Sequence, residues 1–152
     1  MYRLSVFDYF SSAHQLKGYH GRCEAVHGHN WKVEVTLAGR TVDRLGMLVD
    51  FRQARRALRA ILDELDHRYL NDLAPFARMN PTTENLARWI TGRMTSSFPP
   101  AGGVSIARVT VWESEGCSAT YAPGAARPGR TRGHSHVRSY RHRVVLVRPP
   151  AP

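Results

Sequence analysis

A chain of 152 residues with 42% hydrophobic content is long enough for one domain with a real core. Its formal net charge of +10 is unevenly spread: the twelve acidic residues all lie at or before Glu115, while 122–152 carries seven arginines and no acid. Removing that +7 leaves about +3 for the body, so the overall basicity says little about what the folded part binds, and no apolar run approaches the roughly 18 residues of a membrane span.

The N-terminal residues Met1 to Asp8 lack the charged, apolar, small-residue order of a signal peptide, which predicts a cytoplasmic protein. Two cysteines, Cys23 and Cys117, do not make a disulfide framework. Residues 2–14 alternate, with Leu4, Val6, Phe10 and His14 in one phase and Asp8 the exception; this predicts a strand ending at an imidazole. Residues 15–26 read as a loop that carries Cys23. Residues 27–38 give the clearest strand, because Val33, Val35 and Leu37 alternate with Lys32, Glu34 and Thr36. Counting back by twos from Val33 reaches Trp31, His29 and His27, so both histidines face the apolar side unless a bulge shifts the phase.

After a turn region at 39–46, Asp50 predicts an N-cap. Phe51, Ala54, Leu58, Ile61 and Leu65 follow as one helical face. Arg52, Arg55, Arg56 and Arg59 fill the other side, as a solvated face does. Residues 66–80 read as a loop. Thr82 caps a second helix whose apolar face is Leu86, Trp89, Ile90 and Met94, ended by Pro99-Pro100. Residues 104–113 alternate again, with Val109, Val111 and Glu113 in phase, and 117–121 closes a hairpin after Gly116. The order ββααββ predicts an α+β domain over 1–121: a four-stranded antiparallel sheet with two helices on one face. From Pro123 onward Pro, Gly and Arg dominate, and 122–152 is expected to be a disordered basic tail.

The chemistry gathers at Cys23-Glu24-Ala25-Val26-His27-Gly28-His29. His27 and His29 present two donors on one strand face, and His14 supplies a third if the first two strands pair. Three imidazoles leave a fourth position open on a tetrahedral zinc, although imidazole also suits iron, copper or nickel. Cys23 is then not needed as a ligand. A thiol beside a cation loses its proton more readily and can act as a base, though a zinc ligand or an inert cysteine would fit the spacing too. Cys117 lacks such surroundings. Asp66-His67 offers the parts of a proton relay, a pairing also common by chance. Glu113, at the end of an apolar phase, either meets a donor or faces solvent.

These pieces, in order, resemble the 6-pyruvoyl- and 6-carboxy-tetrahydropterin synthase family. The matching segments are Phe10-Ser11-Ser12-Ala13-His14, Cys23-x3-His27-Gly28-His29-Asn30, Leu48-Val49-Asp50-Phe51, Leu65-Asp66-His67-x-Tyr69-Leu70-Asn71, Asn80-Pro81-Thr82-Thr83-Glu84-Asn85 and Val111-Trp112-Glu113. The resemblance implies the tunnelling fold, with trimers closing a barrel, two trimers stacking into a homohexamer, and sites between subunits. It implies zinc on His14, His27 and His29, Cys23 as catalytic base with Asp66 and His67, Glu113 anchoring the pterin's guanidine-like edge, and Thr82 and Thr83 lining the pterin pocket. The Cys-x3-His-Gly-His spacing looks like the 6-carboxy branch, which converts 7,8-dihydroneopterin triphosphate to 6-carboxy-5,6,7,8-tetrahydropterin, acetaldehyde and triphosphate on the route to queuosine. The sister 6-pyruvoyl activity is the alternative; a metal-stabilised nucleic-acid module is a more distant one. Glu24 departs from the family, in which a small or basic residue often follows the cysteine.

Overall fold

The computed structural model describes residues 1–124; the predicted tail falls, from residue 125 on, outside the described residues. Four strands, β1 (Tyr2–His14), β2 (His27–Gly39), β3 (Val104–Ser114) and β4 (Cys117–Tyr121), form one antiparallel sheet in the order β1-β2-β3-β4. Two helices, α1 (Phe51–Leu62) and α2 (Thr83–Ser97), connect β2 to β3. The predicted order of elements is the observed one.

The β1–β2 register runs without interruption from Tyr2 opposite Gly39 to His14 opposite His27. No bulge therefore disturbs the phase counted back from Val33. The irregularity between Thr36 and Leu37 lies at the far end of β2 and affects only its pairing with β3. One face of the sheet carries Val6, Phe10, Trp31, Val33, Val35 and Leu37, all buried. Against it pack Ala54, Leu58, Ile61 and Leu62 of α1 and Leu86, Ala87, Ile90 and Met94 of α2. Burial of this apolar face is the main stabilising term, each large side chain contributing on the order of 1.5–3 kcal/mol.

Both helix starts are capped by side chains, as the sequence requires. Asp50 Oδ1 accepts from Arg52 N at 2.7 Å, and Thr82 Oγ1 accepts from Asn85 N at 3.3 Å. One member of the predicted helical faces is corrected, and a second sits at the edge of the core. Phe51 is 59% exposed because it stands at the first position of α1, beyond the edge of the sheet-facing stripe, and Leu62 takes a core place instead. Trp89 is half-buried, with Phe76 at 5.9 Å and the Arg93 guanidinium 5.2 Å over its ring. Among the described residues no helix is long and apolar enough to cross a membrane.

Candidate metal centre and active site

The sheet register builds the centre. Because His14 ends β1 opposite the first residue of β2, its ring lies 4.5 Å from that of His27 and 5.2 Å from that of His29. Trp31, next in the same phase, floors the group: its ring is 4.9 Å from His14 and 5.2 Å from His29, and its Nε1 donates to Ser12 O at 3.2 Å. Ring orientation is fixed from behind. His14 Nδ1 donates to the Pro81 carbonyl at 2.9 Å, and His27 Nδ1 donates to the Ala25 carbonyl at 2.8 Å. Each bond places the proton on Nδ1 and turns the Nε2 lone pair inward, the outer-shell arrangement of a metal-binding imidazole.

The Nε2 atoms of His14, His27 and His29 are buried and none meets the geometry of a hydrogen bond. Three unpartnered buried nitrogens aimed at one point are costly unless a cation joins them. A carboxylate stands beside them. Glu113 Oε1 stands 2.9 Å from His29 Nε2, 3.3 Å from His14 Nε2 and 3.9 Å from His27 Nε2. The 2.9 Å contact is short but misaligned for hydrogen bonding, as expected of two groups directed at a common third. All four donor atoms lie within 4.8 Å of one another, and their chemistry suits a divalent metal ion. Burial holds the imidazoles of His14 and His29 below their ordinary value, against the opposing pull of the Glu113 charge. Both rings are thus neutral at pH 7, the form that ligates.

Sequence reading gives Glu113 a ligand-anchoring role; the structure adds its nearness to the three imidazoles. Its phase with Val109 and Val111 is a visible signal; the pairing of β3 with β2, Val111 opposite Val33, is not. The β3–β4 register slips by one residue between Trp112 and Ser114, so Glu113 is the extra residue of a bulge at the end of the sheet. Pro81, the orienter of His14, carries no side-chain signal at all.

The segment after α1 lies along the end of β1. Ser12 Oγ donates to Leu65 O, His67 N donates to Ser11 O at 2.6 Å, and Ala13 N donates to Arg68 O at 3.1 Å. This brings Asp66 and His67 to within three residues of His14 along β1. Asp66 Oδ1 accepts from Ser11 N at 2.8 Å, Oδ2 accepts from Arg59 Nη2 at 3.0 Å, and Oδ1 stands 3.9 Å from His67 Nε2. The Ser11 bond, with help from His67 and Arg59, holds the Asp66 carboxyl below the usual range. The His67 side chain is 84% exposed, and its backbone sits at φ 54°, the left-handed region that a non-glycine residue enters at a cost.

Cys23 is half-buried on the turn Arg22–Glu24, whose loop is closed by Leu16 N donating to Cys23 O at 2.9 Å. It lies outside the metal-holding group. Thr82 uses its hydroxyl to cap α2, and Thr83 is half-buried beside it. Two clefts flank the centre. One, of about 520 Å³, includes His29, Asn30, His67 and Tyr69. The other, of about 670 Å³, includes Asn30, Lys32, Trp112 and Glu113. Neither includes Cys23, Thr82 or Thr83.

Comparison with known proteins agrees with this geometry. The family model for 6-pyruvoyl tetrahydropterin synthase matches residues 3–124. A Pyrococcus furiosus protein named dihydroneopterin monophosphate aldolase is 36% identical over 104 residues, 68% of this chain and 82% of its own. The 6-carboxy-5,6,7,8-tetrahydropterin synthase of Synechocystis is 33% identical over 96 residues, 60% of this chain and 73% of its own. The Caenorhabditis elegans 6-pyruvoyl tetrahydropterin synthase structure superposes with a TM-score of 0.71 at 28% identity, covering 80% of this chain and 94% of that one. With its ββααββ sheet and three converging histidines, the chain belongs to the 6-pyruvoyl tetrahydropterin synthase family and has that family's tunnelling fold.

Proposed function

We propose that this protein is a zinc-dependent 6-carboxy-5,6,7,8-tetrahydropterin synthase acting on 7,8-dihydroneopterin triphosphate, with acetaldehyde and triphosphate as the other products. The observation that carries the reading is the trio of buried, unpartnered Nε2 atoms of His14, His27 and His29, one loop away from Cys23. Those three imidazoles would hold the zinc, and the bound metal would supply Lewis-acid polarisation of the side-chain oxygens. Cys23 takes the carbon-bound proton next to the developing carbonyl. His67 exchanges protons with the substrate, and Asp66 steadies the charge that His67 acquires. With zinc on the imidazoles, Glu113 is free to accept the paired N–H donors of the pterin's guanidine-like edge, and the cleft it lines is open to a ring of that size. Thr82 and Thr83 lie outside that cleft in the single chain and would reach the ring only from a neighbouring subunit.

We further propose a homohexamer with sites between subunits. Two features support it: the exposed His67 shares no cleft with Cys23, and β1 and β4 leave the sheet with two outer edges near exposed Tyr2, Tyr9 and Tyr121.

Product analysis of the zinc-loaded protein tests the chemistry. Carboxy-tetrahydropterin with acetaldehyde supports the reading; pyruvoyl-tetrahydropterin alone assigns the sister activity to the same site. A second reading is favoured by the 36% identity to the Pyrococcus protein named as an aldolase. An aldolase would break the substrate side chain one carbon from the ring. On the monophosphate it would leave a hydroxymethyl-dihydropterin and release glycolaldehyde phosphate, and detecting that product would replace the synthase reading.

A further inference from the structure

We propose that Arg59 is the positioning residue of the proton relay, its guanidinium holding the Asp66 carboxylate in place beside His67. The inference rests on the reading of Asp66 and His67 as a relay. It also separates Arg59 from its neighbours on α1. Arg52, Arg55 and Arg56 are exposed and form no ion pair among the described residues, as a solvated face requires. Arg59 is half-buried and turned toward β1.

Each of its three nitrogens donates one hydrogen bond. Nη1 donates to the Tyr9 carbonyl at 2.9 Å, Nε donates to Asp63 Oδ1 at 2.7 Å, and Nη2 donates to Asp66 Oδ2 at 3.0 Å. Asp8 of β1 stands 3.9 Å from Nη1. The charged groups facing the pair are therefore Asp8 from β1, Asp63 from the end of α1 and His67 from the following segment. The two oxygens of Asp66 are divided between Ser11 N and Arg59, so rotation of the carboxylate breaks one bond or the other. A carboxylate fixed at both oxygens keeps its orientation while His67 gains and loses a proton. Only a planar guanidinium can reach all three acceptors at once; a lysine ammonium supplies the charge without the fork.

Arg59→Gln and Arg59→Lys, made in the full chain and loaded with zinc, test this. The readouts are kcat and KM separately, the pH profile of kcat/KM, and the titration of the Asp66 carboxyl followed by 13C NMR. Arg59→Gln is expected to lower kcat about tenfold with KM and zinc content unchanged, and to raise the Asp66 titration and the acid limb by about one pH unit. Arg59→Lys should keep the acid limb and recover part of kcat. Asp63→Asn, which loosens the fork but leaves its charge and its Asp66 contact, should change both readouts in the same direction as Arg59→Gln and by less. An Arg59→Gln protein that melts lower but titrates Asp66 and turns over like the parent overturns the assignment. If Arg59→Gln does not fold, Arg59→Lys decides, and parental kcat in that variant overturns it. Absence of pterin turnover in the parent would count against the functional reading alone, since the Asp66 titration is read without turnover.

Discussion

At the scale of single residues, the site is governed by which nitrogen of each histidine carries its proton. Pro81 and Ala25 settle that for His14 and His27 through backbone carbonyls, leaving their inward nitrogens as lone-pair donors. Replacing His29 by Ala should abolish stoichiometric zinc while the fold survives, since its side chain is only half-buried; metal analysis and circular dichroism check both halves. Cys23→Ala should retain zinc and lose turnover by about a hundredfold or more. Loss of zinc there would make Cys23 a ligand. The pH dependence follows from burial of His14 and His29, whose folded pKa values lie below the ordinary 6.5. Their contribution to stability is then complete above pH 6.5 and is lost as pH falls through the lowered values, where the unfolded chain binds more protons than the folded one. The metal-free protein should therefore melt at a lower temperature at pH 5 than at pH 7. Zinc affinity should weaken over the same interval by at least about tenfold, because protonated imidazole does not ligate.

At the scale of elements, two strands and one following turn do most of the positioning. The uninterrupted β1–β2 register sets the three imidazoles together, and segment 65–69 is laid against β1 by main-chain bonds that bring Asp66 and His67 alongside. The helices act at a distance, as the apolar layer that keeps the sheet face dry. Leu58→Ala, at a fully buried position on α1, should cost about 2–5 kcal/mol. Asp50→Ala should cost about 1 kcal/mol through loss of the α1 cap; both are read by urea unfolding of the metal-free protein. Gly39 ends β2 where a Cβ would lie 2.8 Å from the Gly103 carbonyl, so Gly39→Ala must displace the start of β3 and should be less stable than its small volume change suggests.

At the scale of the whole molecule, the open sheet edges and the exposed His67 argue for a site completed by a neighbouring chain. Native mass spectrometry should find a species of about six times the 17.1 kDa chain mass, and a monomer with full activity would refute the intersubunit reading. The seven arginines of 122–152 are outside this arrangement in sequence. Removal of residues 125–152 is expected to leave zinc content and turnover unchanged. Salt-dependent affinity for DNA or RNA in the full chain that disappears on this truncation would instead give the tail a function of its own.

The sequence by itself determined the strands, both helix caps and the shared face of the three histidines, because each of these depends on local periodicity or on a short-range side-chain bond. His14, His27 and His29 were legible since phase along a strand fixes the face a side chain takes, and β1 and β2 pair without a bulge between them. Only the tertiary structure decided the rest. Glu113 reaches the imidazoles because β3 pairs with β2, Pro81 orients His14 across 67 residues, and Arg59 leaves its solvated companions to donate to the Tyr9 carbonyl, 50 residues away. Each depends on register or on contact between segments distant in the chain, and neither leaves a repeat for a linear reading to find.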